Sequence, residues 1–118
     1  MNPPPFWGRA RGSPRLVPVL WFTEAGTDRI GRITVDRTVT EFVLPAGSRP
    51  EGIAAGLDGA LWFPEYGANR TGRITKGGSI SHFRIPTPDS GAGLIAAGPN
   101  SMWFTESSAD RIGAVRTV

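Results

Sequence analysis

The chain has no cysteine, a single histidine, a single tyrosine, and no apolar run approaching the length of a membrane-spanning helix. Without cysteine there is neither a disulfide framework nor a thiolate metal site, although that absence suits either side of a membrane. With His82 as its one imidazole, the chain can form a Ser-His-Asp arrangement only through that residue. No glycine-rich loop leads a strand into a helix, which sets aside phosphate-loop and dinucleotide-binding readings. The N-terminal "MNPPPFWGRARGSPRLVPVLWF" lacks the uninterrupted apolar core of a signal peptide, and nothing later approaches the roughly twenty residues needed to span a bilayer. The sequence therefore predicts a cytoplasmic chain with no membrane partner.

An excess of charge is also missing where it would matter. The net charge is +3, from 13 basic and 10 acidic residues. Arg9, Arg11 and Arg15 all precede the first acidic residue, so the rest balances at 13 − 3 = 10 basic against 10 acidic. Binding nucleic acid requires cations gathered on one face, and a balanced body argues against it. Residues 1–15 read as a disordered, basic, Pro/Arg-rich leader.

What the chain does have is glycine, proline and repetition. Sixteen Gly and eleven Pro interrupt short β-branched and aromatic runs, which predicts an all-β fold of brief strands and turns. "LWFTEAGTDRIGRIT" (Leu20 to Thr34) returns forty-one residues later as "LWFPEYGANRTGRIT" (Leu61 to Thr75), with ten identities in fifteen positions. After forty-one more it returns as "MWFTESSADRIGAVR" (Met102 to Arg116), which matches the first copy in eight positions. A period of 41–42 residues suits a helical array or the four strands of a propeller blade, and strand chemistry decides for the blade.

The unit from Gly52 to Pro86 shows the division. Strands are expected at Gly52–Gly56, Leu61–Glu65, Thr71–Thr75 and Ser79–Ile85, separated by turns at Asp58-Gly59, "YGAN" and Gly77-Gly78. Trp62 and Phe63 are adjacent and so point to opposite faces, which requires a strand covered on both sides, as stacked blades provide. The mostly small residues of Ile53 to Gly56 and Ile95 to Gly98 suit the crowded axis where blades converge. The predicted fold is a partial β-propeller of nearly three blades of four short antiparallel strands: blade 1 about 16–45, blade 2 about 52–86, and blade 3 about 93–118 without its outer strand. A weak first strand is expected at Leu16–Val19, interrupted by Pro18.

The "IAAG" strand, the WF-x-E strand and the "GRIT" strand, combined in "PEGIAAGLDGALWFPEYGANRTGRIT" (Pro50 to Thr75), resemble the blade repeat of the streptogramin B lyases, the virginiamycin B lyase group. The resemblance covers about Leu16 to Val118 and implies seven-bladed β-propellers that open the macrocyclic ester of type B streptogramins by elimination. It further implies a histidine base and a divalent metal, commonly magnesium, acting on a small-molecule macrocycle. A base would take the proton beside a carbonyl while a cation stabilises the developing charge.

The family's histidine position, in a sequence like E-x-H-G, is held here by Glu51 in "SRPEGI", and "SGAGLI" offers no imidazole either. Arg49 replaces the acid two places before. Glu65 matches a family carboxylate and recurs as Glu24 and Glu106, as a structural position would; Glu65 and Glu106 are the candidate metal ligands. His82 is expected on a solvated outer strand, away from the axis. Asp28, Asn69 and Asp110 read as Asx-turn residues, with Arg29, Arg70 and Arg111 pairing at the exposed rim. Three readings follow: a lyase-like propeller fragment inactive alone; a partial propeller that self-associates through its open blade faces as a ligand- or protein-binding module; and an enzyme in which Glu24, Glu65 and Glu106 gather a metal at the axis.

Overall fold

The computed structural model describes residues 19–117. The expected leader at 1–15 and most of the weak strand at Leu16–Val19 lie outside that range. Ten strands form three antiparallel sheets among the described residues. The first joins β1 (Val19–Glu24), β2 (Arg29–Thr34) and β3 (Val39–Val43). The second joins β4 (Ala54–Ala55), β5 (Leu61–Glu65), β6 (Arg70–Ile74) and β7 (Ile80–Arg84). The third joins β8 (Ala92–Ala97), β9 (Ser101–Glu106) and β10 (Arg111–Arg116). These are three blades of an unclosed β-propeller, as the repeat predicts. No described helix is long and apolar enough to cross a membrane.

Local chemistry sets each hairpin. Gly59 takes φ 87° after Asp58, whose carboxylate accepts the Ala60 N–H at 3.2 Å and so closes the β4–β5 turn. In the first and third copies the turn after the WF-x-E strand is a single 3-10 turn, Ala25–Thr27 and Ser107–Ala109. The residue that ends each such turn, or its equivalent in blade 2, is left-handed: Asp28, Asn69 and Asp110 have φ near 55°, at 56°, 56° and 54°. Asp and Asn tolerate this conformation, and it releases the chain into the next strand.

Register repeats along with sequence. Phe22 pairs with Gly31, which pairs with Glu41; Phe63 pairs with Gly72, which pairs with His82; and Phe104 pairs with Gly113. At Gly72 a Cβ would fall within the Phe63 ring, so the glycine makes room for the aromatic to lie across its neighbour strand.

The tryptophans and phenylalanines of the motif face opposite ways. Leu61, Phe63 and Ile74 pack with Ile30 and Leu44, against Trp21 and Phe42 of blade 1. Trp62 packs with Ala60 and Met102, against Ile95 and Val115 of blade 3. In the middle blade Trp62 is 1% exposed and Phe63 0%, each side chain contributing about 1.5–3 kcal/mol when fully covered. In blade 3 the same motif leaves Trp103 50% exposed, because no further described blade covers it.

Candidate functional site

Glu51 stands in the crossing from blade 1 to blade 2. Its N–H donates to the Pro64 carbonyl at 3.0 Å, and its own carbonyl accepts the Thr23 hydroxyl at 2.6 Å, so backbone contacts from both blades hold it. Its carboxylate is half-buried and takes the Arg49 Nε–H at 3.2 Å. Arg49 lies over the Tyr66 ring at 5.6 Å and adopts φ 46°. One residue on, the Gly52 N–H donates to Gly93 O at 2.8 Å, and Gly93 is the blade-3 counterpart of Glu51. The two positions where the resemblance implies a base are thus neighbours at the join of blades 2 and 3. They bring together a carboxylate neutralised by arginine and a glycine.

The recurring glutamate has a different setting in each blade. Glu65 is completely buried, and its Oε1 accepts the Arg70 guanidinium at 2.8 Å. Its Oε2 lies 2.6 Å from His82 Nδ1. With Glu65 ionised, that nitrogen carries the hydrogen and donates. Burial without partners would be costly for a carboxylate, and Arg70 with His82 supplies the compensation. This corrects two expectations. His82 is not a solvated histidine, since its side chain is 27% exposed and held against Glu65. Arg70 is not a rim residue with an exposed partner, since its partner is the buried Glu65. Arg29 does behave as expected, pairing with exposed Glu41 at 2.9 Å.

In blade 1 the residue at the His82 position is Glu41. Desolvation first, then a hydrogen bond and repulsion from Glu41, raise the Glu24 carboxyl above its ordinary value, so two acids share the place that Glu65 and His82 fill. In blade 3, Glu106 is buried, its Oε2 lies over Gly113, and its Oε1 has no hydrogen-bond partner among the described residues.

Magnesium favours several oxygen ligands with retained water. The Glu65 oxygens are already engaged by Arg70 and His82, and Glu106 is a lone carboxylate in another blade. Among the described residues no three His, Cys, Asp or Glu are gathered as a metal site. The donor set does not fit the metal that the resemblance implies.

The turn residues do more than turn. Asp28 accepts the N–H groups of Gly47 at 2.9 Å and Arg49 at 2.7 Å, on the linker into blade 2. These bonds, Gly47 first, hold its carboxyl below the ordinary range. Asn69 does the same job on the linker into blade 3, accepting the Ser90 N–H at 3.0 Å and hydroxyl at 2.6 Å.

A family model described as the virginiamycin B lyase family matches residues 17–118. The chain belongs to the virginiamycin B lyase family. Three solved structures resemble it at 46% identity, each over 84% of this chain and 34% of the other. They are a selenomethionine-substituted virginiamycin B lyase from Staphylococcus aureus (TM-score 0.81), a catalytically inactive variant of that enzyme with quinupristin (TM-score 0.81), and a streptogramin B lyase (TM-score 0.82). The chain thus spans about a third of the length of these relatives. Comparison with curated proteins returned no match. The repeat and the WF-x-E strand pointed to this membership. The Glu65–His82 pair was not found from sequence, although one signal was available: the polar outer-strand residue in register with the glycine of "GRIT".

Proposed function

We propose that this chain is a three-blade portion of a streptogramin B lyase-type propeller, supplying scaffold without the reacting base, and that alone it does not open a type B streptogramin. The observation that carries this reading is the occupant of the base position. Glu51 and Gly93 stand there, and the carboxylate of Glu51 is tied to Arg49. Elimination needs a base free to take a proton beside a carbonyl and a group that stabilises the resulting charge. The chain's one imidazole is occupied by Glu65 in the outer strand of blade 2. Glu65 accordingly fastens β7 to β5 across β6, and no step of the elimination runs through it.

The test is incubation of the chain with quinupristin and magnesium, followed by mass spectrometry. An unchanged macrocycle is expected. Metal-dependent ring opening that disappears in Glu65→Ala would overturn the reading.

A second reading, self-association, rests on a separate observation. Blades 1 and 2 meet through a Trp-bearing face against a Leu-Phe face, and blades 2 and 3 through a Trp-bearing face against Met102, Ile95 and Val115. At the two ends of the described residues, a face bearing Trp103 and a face bearing Leu20 are exposed. Light scattering resolves it: a discrete dimer supports a head-to-tail pair of chains, and a monomer at all concentrations removes it.

A further inference from the structure

We propose that blade 3 presents a strand-accepting site along β10, which takes an extended peptide bearing a hydrogen-bond-donating side chain directly followed by an aromatic residue. The two other blades show what such a strand must carry. In blade 2, β7 pairs antiparallel with β6, placing His82 opposite Gly72 and Phe83 opposite Thr71. His82 reaches the buried Glu65 carboxylate, and Phe83 stacks on Trp62 at 5.4 Å with 28° between planes. In blade 1, β3 places Glu41 opposite Gly31, beside Glu24, and Phe42 stacks on Trp21 at 5.8 Å and 21°. One outer-strand residue answers the glutamate, and the next covers the tryptophan.

Blade 3 repeats both receivers. Glu106 is buried with Oε1 unpartnered, and Gly113 opens the space over it as Gly72 does for Glu65. Trp103 is half exposed, and Ile112 is 64% exposed where its counterparts Ile30 and Thr71 are buried. Trp103, Ile112 and Leu94 line an apolar depression of about 160 Å³. Among the described residues β10 has a partner on one side only, β9, so its other edge offers backbone N–H and C=O groups.

An antiparallel strand in the register of β7 would set its donor opposite Gly113 and its aromatic opposite Ile112. The donor completes Glu106, whose buried oxygen is otherwise left without a hydrogen bond. The aromatic stacks on Trp103. A strand carrying only the aromatic leaves the carboxylate unsatisfied, and one carrying only the donor leaves the ring uncovered.

The experiment uses the synthetic peptide SISHFRI, the chain's own residues 79–85, added to the full chain, with binding read from Trp fluorescence and hydrogen exchange at β10. Saturable binding with new protection at β10 is expected. Replacing His82 or Phe83 by alanine in the peptide should each weaken binding about tenfold. Trp103→Ala in the protein should abolish the Phe83 effect, and Glu106→Gln should shrink the His82 effect. Trp103 is half exposed, so its replacement leaves the fold intact. No binding, or equal binding of all three peptides, overturns the proposal. So does a chain dimer broken by Trp103→Ala and unaffected by peptide, since a second copy then owns the face.

Discussion

Replacing Trp62 with alanine shows whether the repeated tryptophan acts through the blade that covers it. Its ring is buried among Ala60, Met102 and Ile95, stacked on Phe83, and crossed by Arg73 at 5.7 Å. Its Nε1–H donates to Asp58 at 3.2 Å. Emptying a site of this kind costs about 3–5 kcal/mol. In a domain of this size each kcal/mol lowers Tm by roughly 4–8 °C, so a loss on the order of 20 °C is expected. Trp103 holds the same place in the repeated motif, between Met102 and Phe104, but is half exposed and among the described residues has no stacked phenylalanine. Trp103→Ala should therefore cost about 1 kcal/mol or less. Circular dichroism melts of both variants, at a concentration where light scattering shows one species, make the comparison. Equal losses would refute the argument, because they would detach the energy from coverage by the next blade.

Three further outcomes follow from the same geometry. Gly72→Ala forces a Cβ into the Phe63 ring and the Glu65 carboxylate, and should cost about 1–3 kcal/mol in urea unfolding, whereas Gly26→Ala, with open space around it, should be close to neutral. Glu65→Gln breaks a buried pair and should destabilise by about 3–5 kcal/mol, while Arg29→Gln, at an exposed pair, should change stability by about 1 kcal/mol or less in the same assay. Desolvation acts most strongly on Asp58 and pushes its pKa up, but bonds from Trp62, Ala60 and Arg73 outweigh it and hold the carboxyl below its ordinary value. A carboxyl depressed on folding stabilises above its unfolded pKa and loses that contribution as pH falls through the folded one. Wild-type stability should therefore drop below about pH 4, and Asp58→Asn should flatten that acid limb in melts against pH.

The blade was legible because periodicity and two-sided burial are written locally. Adjacent Trp62 and Phe63 demand cover on both faces, and the predicted strand at Leu61–Glu65 is β5 as observed. Strand ends were less readable. The expected strand at Gly52–Gly56 shrinks to Ala54–Ala55, since the Gly52 N–H goes to Gly93 in the next blade and not to β5. The Glu65–His82 pair was hidden for a similar reason. Its members are seventeen positions apart and meet only through the cross-sheet row of Phe63, Gly72 and His82. Asp28 and Asn69 looked like turn residues because their conformation is local, but their hydrogen bonds reach twenty or so positions ahead to the next linker.

The central proposal is that Glu65 fastens the middle and outer strands of blade 2 through Arg70 and His82 and does not hold a metal. Thermal unfolding of wild type and Glu65→Gln, each with and without magnesium, tests it most directly. A lower Tm for the variant and no magnesium effect on either protein are expected. A wild-type Tm that rises with magnesium, with the rise lost in Glu65→Gln, would contradict it.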